Sequence, residues 1–489
     1  MTRTRRSAVF LIAVLVATSP PSAMAQGAQQ QGSASSARLD PTSTSAAAKE
    51  EFRVGLDDWQ VGASTTAELH FRRAIALDSN FGLAHVFAGG IEPRSVDALR
   101  SGELDRGVAL AARASTAEGL LALAWREGNR GRNQQMAQLL HAAMEILPNE
   151  PRLASEYVWA LISASEQKAA LDSARVFRKR FPSFAPLVFP LAFVLTARGD
   201  SAEALQLGEE FARLLPQVPA SLAYYGRMFQ VRGRYEEAEA QFRRALVLAL
   251  PRQDYGNDPA SSLAELYAIQ GRTGEARTIA MEAIGRAVDA PDSANHQTVA
   301  AGTSILAGDQ RQALALLASA REKSQFTGAR RWNLPVDALL AEANALFGDR
   351  RTVPSYLARF PIINPDDSAN ALGWHAVSYA YAGQLDSALV YADRLSAGAT
   401  PQTQWRTMWA HIARGLAYAE KRQCAQAVGE LRQSDSTFIE VQAARADCEL
   451  QLGNRAAAMV WRDRVLARRE LNLNIPRHTY ARARMMRMK

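Results

Sequence analysis

The chain has 489 residues, 48% of them apolar and 22% charged, a balance that supports a packed fold and excludes global disorder. Lys and Arg total 57 against 49 Asp and Glu, a formal charge of +8 and a sequence pI near 9.6. Two cysteines are too few for a disulfide scaffold or a four-thiolate zinc site. The composition also excludes a collagen-like chain and a polytopic membrane protein.

The charge is unevenly placed. Residues 1–25 carry Arg3, Arg5 and Arg6, then the apolar run Ala8–Ala17, then Ala23-Met24-Ala25. A basic start, a short apolar stretch and a small-x-small end predict a signal peptide cut after Ala25. The run is shorter than the roughly 20 residues that span a bilayer, so an uncleaved anchor is the weaker expectation. No cysteine lies near the cut, which argues against a lipid anchor. Export predicts a periplasmic or secreted protein. Residues 26–47 are built from Gln, Ser, Ala, Thr and Gly and cannot bury enough surface to offset their ordering entropy, so a flexible tether is expected.

From residue 48 onward the pattern becomes helical and repetitive. Pro148, Pro182 and Pro216 recur at a constant step of 34 residues, and Pro251 follows one residue late. Each closes two blocks with apolar residues at i, i+3, i+4 and i+7, divided by a polar break. Gly199-Asp200, Gly233-Arg234, Gly271-Arg272, Gly308-Asp309, Gly348-Asp349, Gly383-Gln384 and Gly453-Asn454 are such breaks. The unit is therefore helix, glycine turn, antiparallel helix, proline stop. One hairpin cannot hide its apolar face, so the units must stack.

The clearest unit is Pro219–Leu250. Its first helix carries Leu222, Tyr225-Gly226 and Phe229, and its second carries Ala238, Phe242 and Ala245 before Pro251. Gly226 and Ala238 suit a close backbone approach, with Phe229 and Phe242 filling the space between helices. The same frame recovers Ala67, Phe71 and Ala74, and later Tyr267 with Ala276, Tyr379 with Ala388 and Tyr418 with Ala427. These residues resemble the tetratricopeptide repeat. The resemblance implies an all-α, right-handed α-solenoid, here of about ten helix-turn-helix repeats over residues 48–467. Residues 90–106 leave the frame, which predicts an irregular insertion. Arg350-Arg351-Thr352-Val353-Pro354 and Phe360–Pro365 also leave it, predicting a seam between sub-arrays 48–330 and 334–467.

Catalytic signatures are missing. There is no glycine-rich phosphate loop, His-Glu-x-x-His, Gly-x-Ser-x-Gly or Cys-x-x-Cys. The seven histidines are scattered without metal-ligand spacing, and Asp57-Asp58 and Asp366-Asp367 fall where carboxylates cap helix starts. No enzyme activity, cofactor or metal is expected. In the repeat frame Cys424 opens a second helix and Cys448 lies late in the next first helix. Those sites share one end of the stack, so either a disulfide or two packed free thiols fits.

Trp125, Trp159, Phe193 and Arg227 stand 34 residues apart, and Glu265, Gly302 and Glu342 continue the series on later first helices. In the repeat family this position faces the concave groove, so the resemblance implies a partner-binding strip that changes from aromatic to charged. A packing role for the tryptophans is the alternative. The expected function is a non-catalytic protein-interaction scaffold of the bacterial cell envelope that takes a peptide or protein in the groove. The alternative is a small-molecule or glycan binder using the groove aromatics. From Arg468 to Lys489, seven basic residues face Glu470 alone. This basic tail reads as a solvated terminus, or else as a weak contact for an anionic surface. Nucleic acid is not an expected partner.

Overall fold

The structure is a computed structural model that describes residues 38–90, 102–130, 132–164, 166–197, 201–249, 258–287, 290–324, 336–360, 368–399 and 404–488. The expected signal peptide, most of the expected insertion at 90–106, the Gly199-Asp200 break and the segments around 330 and 361–367 lie outside the described residues. Among the described residues there are helices and no strands.

Among the described residues, twelve helical hairpins follow one another. They are α1/α2 (Ala46–Gln60, Ser64–Leu77), α3/α4 (Gly82–Gly90, Glu103–Ala114), α5/α6 (Thr116–Asn129, Asn133–Ile146) and α7/α8 (Pro151–Ser163, Gln167–Arg180). Next come α9/α10 (Val188–Ala197, Ser201–Leu214), α11/α12 (Pro219–Val231, Tyr235–Ala249), α13/α14 (Pro259–Ile269, Thr273–Gly285) and α15/α16 (Ala290–Leu306, Gln310–Ser324). The last four are α17/α18 (Val336–Phe347, Val353–Leu357), α19/α20 (Ser368–Tyr381, Leu385–Ala397), α21/α22 (Trp405–Glu420, Cys424–Arg432) and α23/α24 (Ile439–Gln451, Arg455–Leu466). A final helix, α25 (Pro476–Arg487), ends the chain. The sequence pattern suggests about ten units because hairpins such as Pro151–Arg180 turn without a glycine and leave no mark.

Glycine is used where the turn needs it. Gly233, Gly271, Gly308, Gly383 and Gly453 have φ between 72° and 85°, the left-handed region that closes a helix without a Cβ penalty. Arg422 does the same at φ 59°, whereas the Asn344 side chain accepts from the Asp349 amide at 3.1 Å beside Gly348. Inside the hairpins a second glycine role recurs. A Cβ at Gly226 would stand 2.7 Å from the Phe242 ring, one at Gly55 2.7 Å from Phe71, and one at Gly415 2.5 Å from Leu431. All three pairs are sixteen residues apart, the distance that brings the two helices of one unit together. Ala238, Phe242 and Ala245 are fully buried and Phe229 nearly so, while half-buried Tyr225 packs at a tilt against Phe229, 4.5 Å between ring centroids.

Across the expected seam near residue 330, Leu317 and Ala320 of α16 share one apolar cluster with Leu339 and Leu340 of α17. The departure at Arg350–Pro354 coincides with a short second helix, Val353–Leu357. Two expectations are corrected. Residues 38–45, within the expected tether, are docked: the Leu39 amide donates to Glu150 at 3.1 Å, Thr42 Oγ1 to Glu118 at 2.6 Å and Ser43 Oγ to Asp78 at 2.5 Å. The largest correction is the basic tail. It does not fray into solvent but packs against α13, α15, α17, α23 and α24, joining parts of the array far apart in sequence.

Candidate functional site

Two neighbouring pairs of the series that starts at Trp125 touch, and the members of the series have different surroundings. Trp159 of α7 lies 5.5 Å from Phe193 of α9 between ring centroids, and Arg227 of α11 pairs with Glu265 of α13 at 2.6 Å. Trp125 of α5 is corrected to a core residue. It is 3% exposed, packed between Phe87 at 4.6 Å and Trp59 at 5.4 Å. Trp59 in turn donates from its indole nitrogen to Glu156 at 3.0 Å, so the first hairpin covers this rung. Trp159 is half-buried, and Phe193 is 45% exposed, unusual for a phenylalanine.

Beyond Arg227 the same positions are occupied by the chain's own C-terminal segment. Leu471, Leu473 and Ile475 are buried and alternate with the more exposed Asn472 and Asn474, the period-two pattern of an extended strand. The Leu471 amide donates to Glu265 Oε1 at 2.9 Å, and Gln230 bridges Glu265 to the Arg469 carbonyl. The Leu473 carbonyl passes against Gly302, where a Cβ would lie 2.9 Å from the carbonyl carbon and closer still to the oxygen. Thr298 donates to Asn474 Oδ1 at 2.6 Å. Pro476 then starts α25 at the helix position that needs no amide donor.

Arg477 anchors the segment. Its backbone amide and Nη1 reach Glu342 at 2.5 and 2.6 Å, and its Nε reaches Glu440 at 3.0 Å. The guanidinium carbon lies 4.5 Å from the Trp374 ring centre and 5.7 Å from that of Trp409, a cation–π setting. The side chains of Glu342 and Glu440 are 0% exposed. Burial works against the Arg477 charge, but the two carboxylates outweigh it and hold its pKa above the usual range. Burial pushes Glu342 up against the pull of Arg477. Burial also drives the His478 imidazole down to about 4, despite Glu440 3.6 Å away. Further along, Arg482 donates to the carbonyls of Val465 and Ile269, and Arg484 pairs with Asp447.

Trp374, Trp409 and Glu440 were not among the residues singled out in the sequence, and Arg477 entered only as one charge of the basic tail. The alternation Leu471-Asn-Leu-Asn-Ile475 was the available signal for a buried extended segment. Cys424 and Cys448 are buried neighbours in one apolar cluster and stand as free thiols, the packed-pair form of the two expected. Burial raises the Cys448 thiol well above its usual range, which keeps it protonated and inert. Among the described residues no group of three or more His, Cys, Asp or Glu side chains is placed to hold a metal ion, and no helix is long and apolar enough to cross a membrane.

Stacked helical hairpins with close glycine contacts between their two helices make an all-α repeat solenoid. The chain is similar to a thermophilic tetratricopeptide-repeat protein of Thermus thermophilus, at 22% identity over 35% of this chain and 91% of the other, with TM-score 0.31. It is also similar to a tetratricopeptide-repeat protein of Parabacteroides merdae, at 12% identity over 59% of this chain and 95% of the other, with TM-score 0.34. These superpositions are partial, and the fold assignment rests on the hairpins themselves. No family model and no curated protein matches.

Proposed function

We propose that this protein is a non-catalytic interaction scaffold of the bacterial cell envelope, delivered there by its N-terminal leader. It binds a protein or peptide partner on the open stretch of its inner face, at Trp159 and Phe193, with Arg227 at the border. The observation that carries this reading is the contrast along one ladder. Glu265, Gly302 and Glu342 are engaged by the chain's own terminus, while Phe193 on the same row stays 45% exposed beside Trp159. Paired aromatics with exposed faces supply the contact area typical of interface anchors.

A photo-crosslinking residue placed at Phe193 in the native host tests this. A discrete protein adduct is expected, weakened by Trp159→Ala and missing when the probe replaces Val247, which is 68% exposed on the second helix of its hairpin. Equal labelling at both positions would refute a specific site. Glycan binding abolished by Trp159→Ala, with no protein adduct, would replace the partner class by a carbohydrate.

A further inference from the structure

We propose that the inner face running from Glu265 to Glu440 is itself an arginine-reading peptide site, held by residues 469–488 and exchangeable with a partner peptide of the same chemistry. That peptide is an extended apolar/polar alternation leading into a helix that opens with Pro-Arg. Three features carry this. First, the segment is bound as a peptide ligand is bound. Backbone groups meet side chains of the array at Glu265, Gln230 and Glu342, alternate side chains fill apolar sites, and one arginine enters a carboxylate pocket.

Second, the pocket demands a cation. Glu342 and Glu440 are fully buried, and two buried carboxylates without a counter-ion are strongly unfavourable. An occupant that displaces the tail and buries both carboxylates again must therefore bring a cation to the same place, where the flanking Trp374 and Trp409 rings favour a guanidinium. Third, the fit is incomplete. A cavity of about 350 Å³ remains beside the tail helix, bordered by Tyr381, Glu420, Asp447 and Tyr480, and Glu440 Oε2 lacks a hydrogen-bond partner. The connection back to α24 is exposed at Ala467 and Glu470, where the segment can pivot away.

In the resting protein the tethered segment outcompetes free peptides, because tethering raises its effective concentration to the order of millimolar. The scaffold is thus closed over this stretch until an arginine-bearing partner arrives. This site rests on the scaffold reading, but it occupies a different stretch of the inner face from Trp159 and Phe193. The Phe193 crosslink and the peptide experiment can therefore fail independently.

The test uses the full chain and a fluorescent synthetic peptide copying residues 469–488. Full-length Arg477→Ala is expected to bind the peptide one-to-one and at least ten-fold tighter than the parent protein. A peptide carrying Arg477→Ala should not bind, and adding Glu342→Gln to the protein should abolish binding of the unaltered peptide. If Arg477→Ala unfolds, Arg477→Lys keeps the charge and loses the fork, and is expected to bind the peptide to an intermediate degree. Equal binding of both peptides would overturn the arginine-reading site. Absence of peptide binding by a folded Arg477→Ala or Arg477→Lys protein would make the tail a permanent part of the core. A dimer with crosslinks between position 473 of one copy and 302 of another would replace the partner by a second copy and overturn the exchange.

Discussion

Gly302→Ala separates tail docking from solenoid stability, because the substitution has opposite signs in the two. Gly302 lies inside α15, where alanine is favoured over glycine by about 1 kcal/mol. With the tail docked, the new Cβ would collide with the Leu473 carbonyl, and the segment must retreat. The hydrogen bonds flanking that point are Leu471 N–H to Glu265 and Thr298 O–H to Asn474. A bond to a carboxylate contributes roughly 1.5–3 kcal/mol and a neutral one about 1 kcal/mol. Losing most of both disfavours the docked state by about 2 kcal/mol or more, close to 30-fold in population. Arg477 and Arg482 are buried when docked, so trypsin cleavage after them reports the open fraction. Cleavage should accelerate about 30-fold in Gly302→Ala. In an Arg477→Ala background, where the tail is already displaced, Gly302→Ala should stabilise the solenoid in urea by up to about 1 kcal/mol. Unchanged cleavage would refute the close passage of Leu473 over Gly302.

Other outcomes follow from the same contacts. Trp125→Ala should cost about 3–5 kcal/mol in urea unfolding, as a core truncation, whereas Phe193→Ala should change stability by less than about 1 kcal/mol. Gly226→Leu should destabilise by at least about 1–3 kcal/mol through overpacking against Phe242. His478 has its folded pKa depressed to about 4 from 6.5. Its contribution to docking is therefore present above pH 6.5 and is lost as pH falls toward 4, by about 2 kcal/mol between pH 6.5 and 5. Glu342, raised by burial, acts in the opposite sense, while Glu440, held low against its burial by His478 and Arg477, acts in the same sense, so His478→Gln should reduce but not remove the acid-driven loss measured by proteolysis. Without reductant, Cys424 and Cys448 should resist alkylation in the native protein, and both should react after denaturation.

The hairpins were legible in the sequence because their contacts are local. Gly226 meets Phe242 sixteen residues later, and the turn glycines sit beside the breaks they make. The rung series was legible for the same reason, through a constant step along the chain. What the sequence hid depends on long-range pairing. Seven basic residues from Arg468 onward look like a solvated terminus until Glu342, 135 residues before Arg477, is found facing it. Net charge dominated the reading of that segment, while the alternation from Leu471 to Ile475 carried the structural information. Trp125 kept the 34-residue step but is covered by Trp59 and Phe87 from the first two hairpins, a contact set by how those hairpins stack.

Hydrogen exchange of the parent protein is the most direct measurement. The amides of Leu471 and Arg477 donate to buried carboxylates of Glu265 and Glu342, so they should exchange as slowly as amides in the neighbouring solenoid helices at neutral pH. Residues 468–488 exchanging within seconds, as a free basic terminus does, would contradict an inner face occupied by the chain's own end.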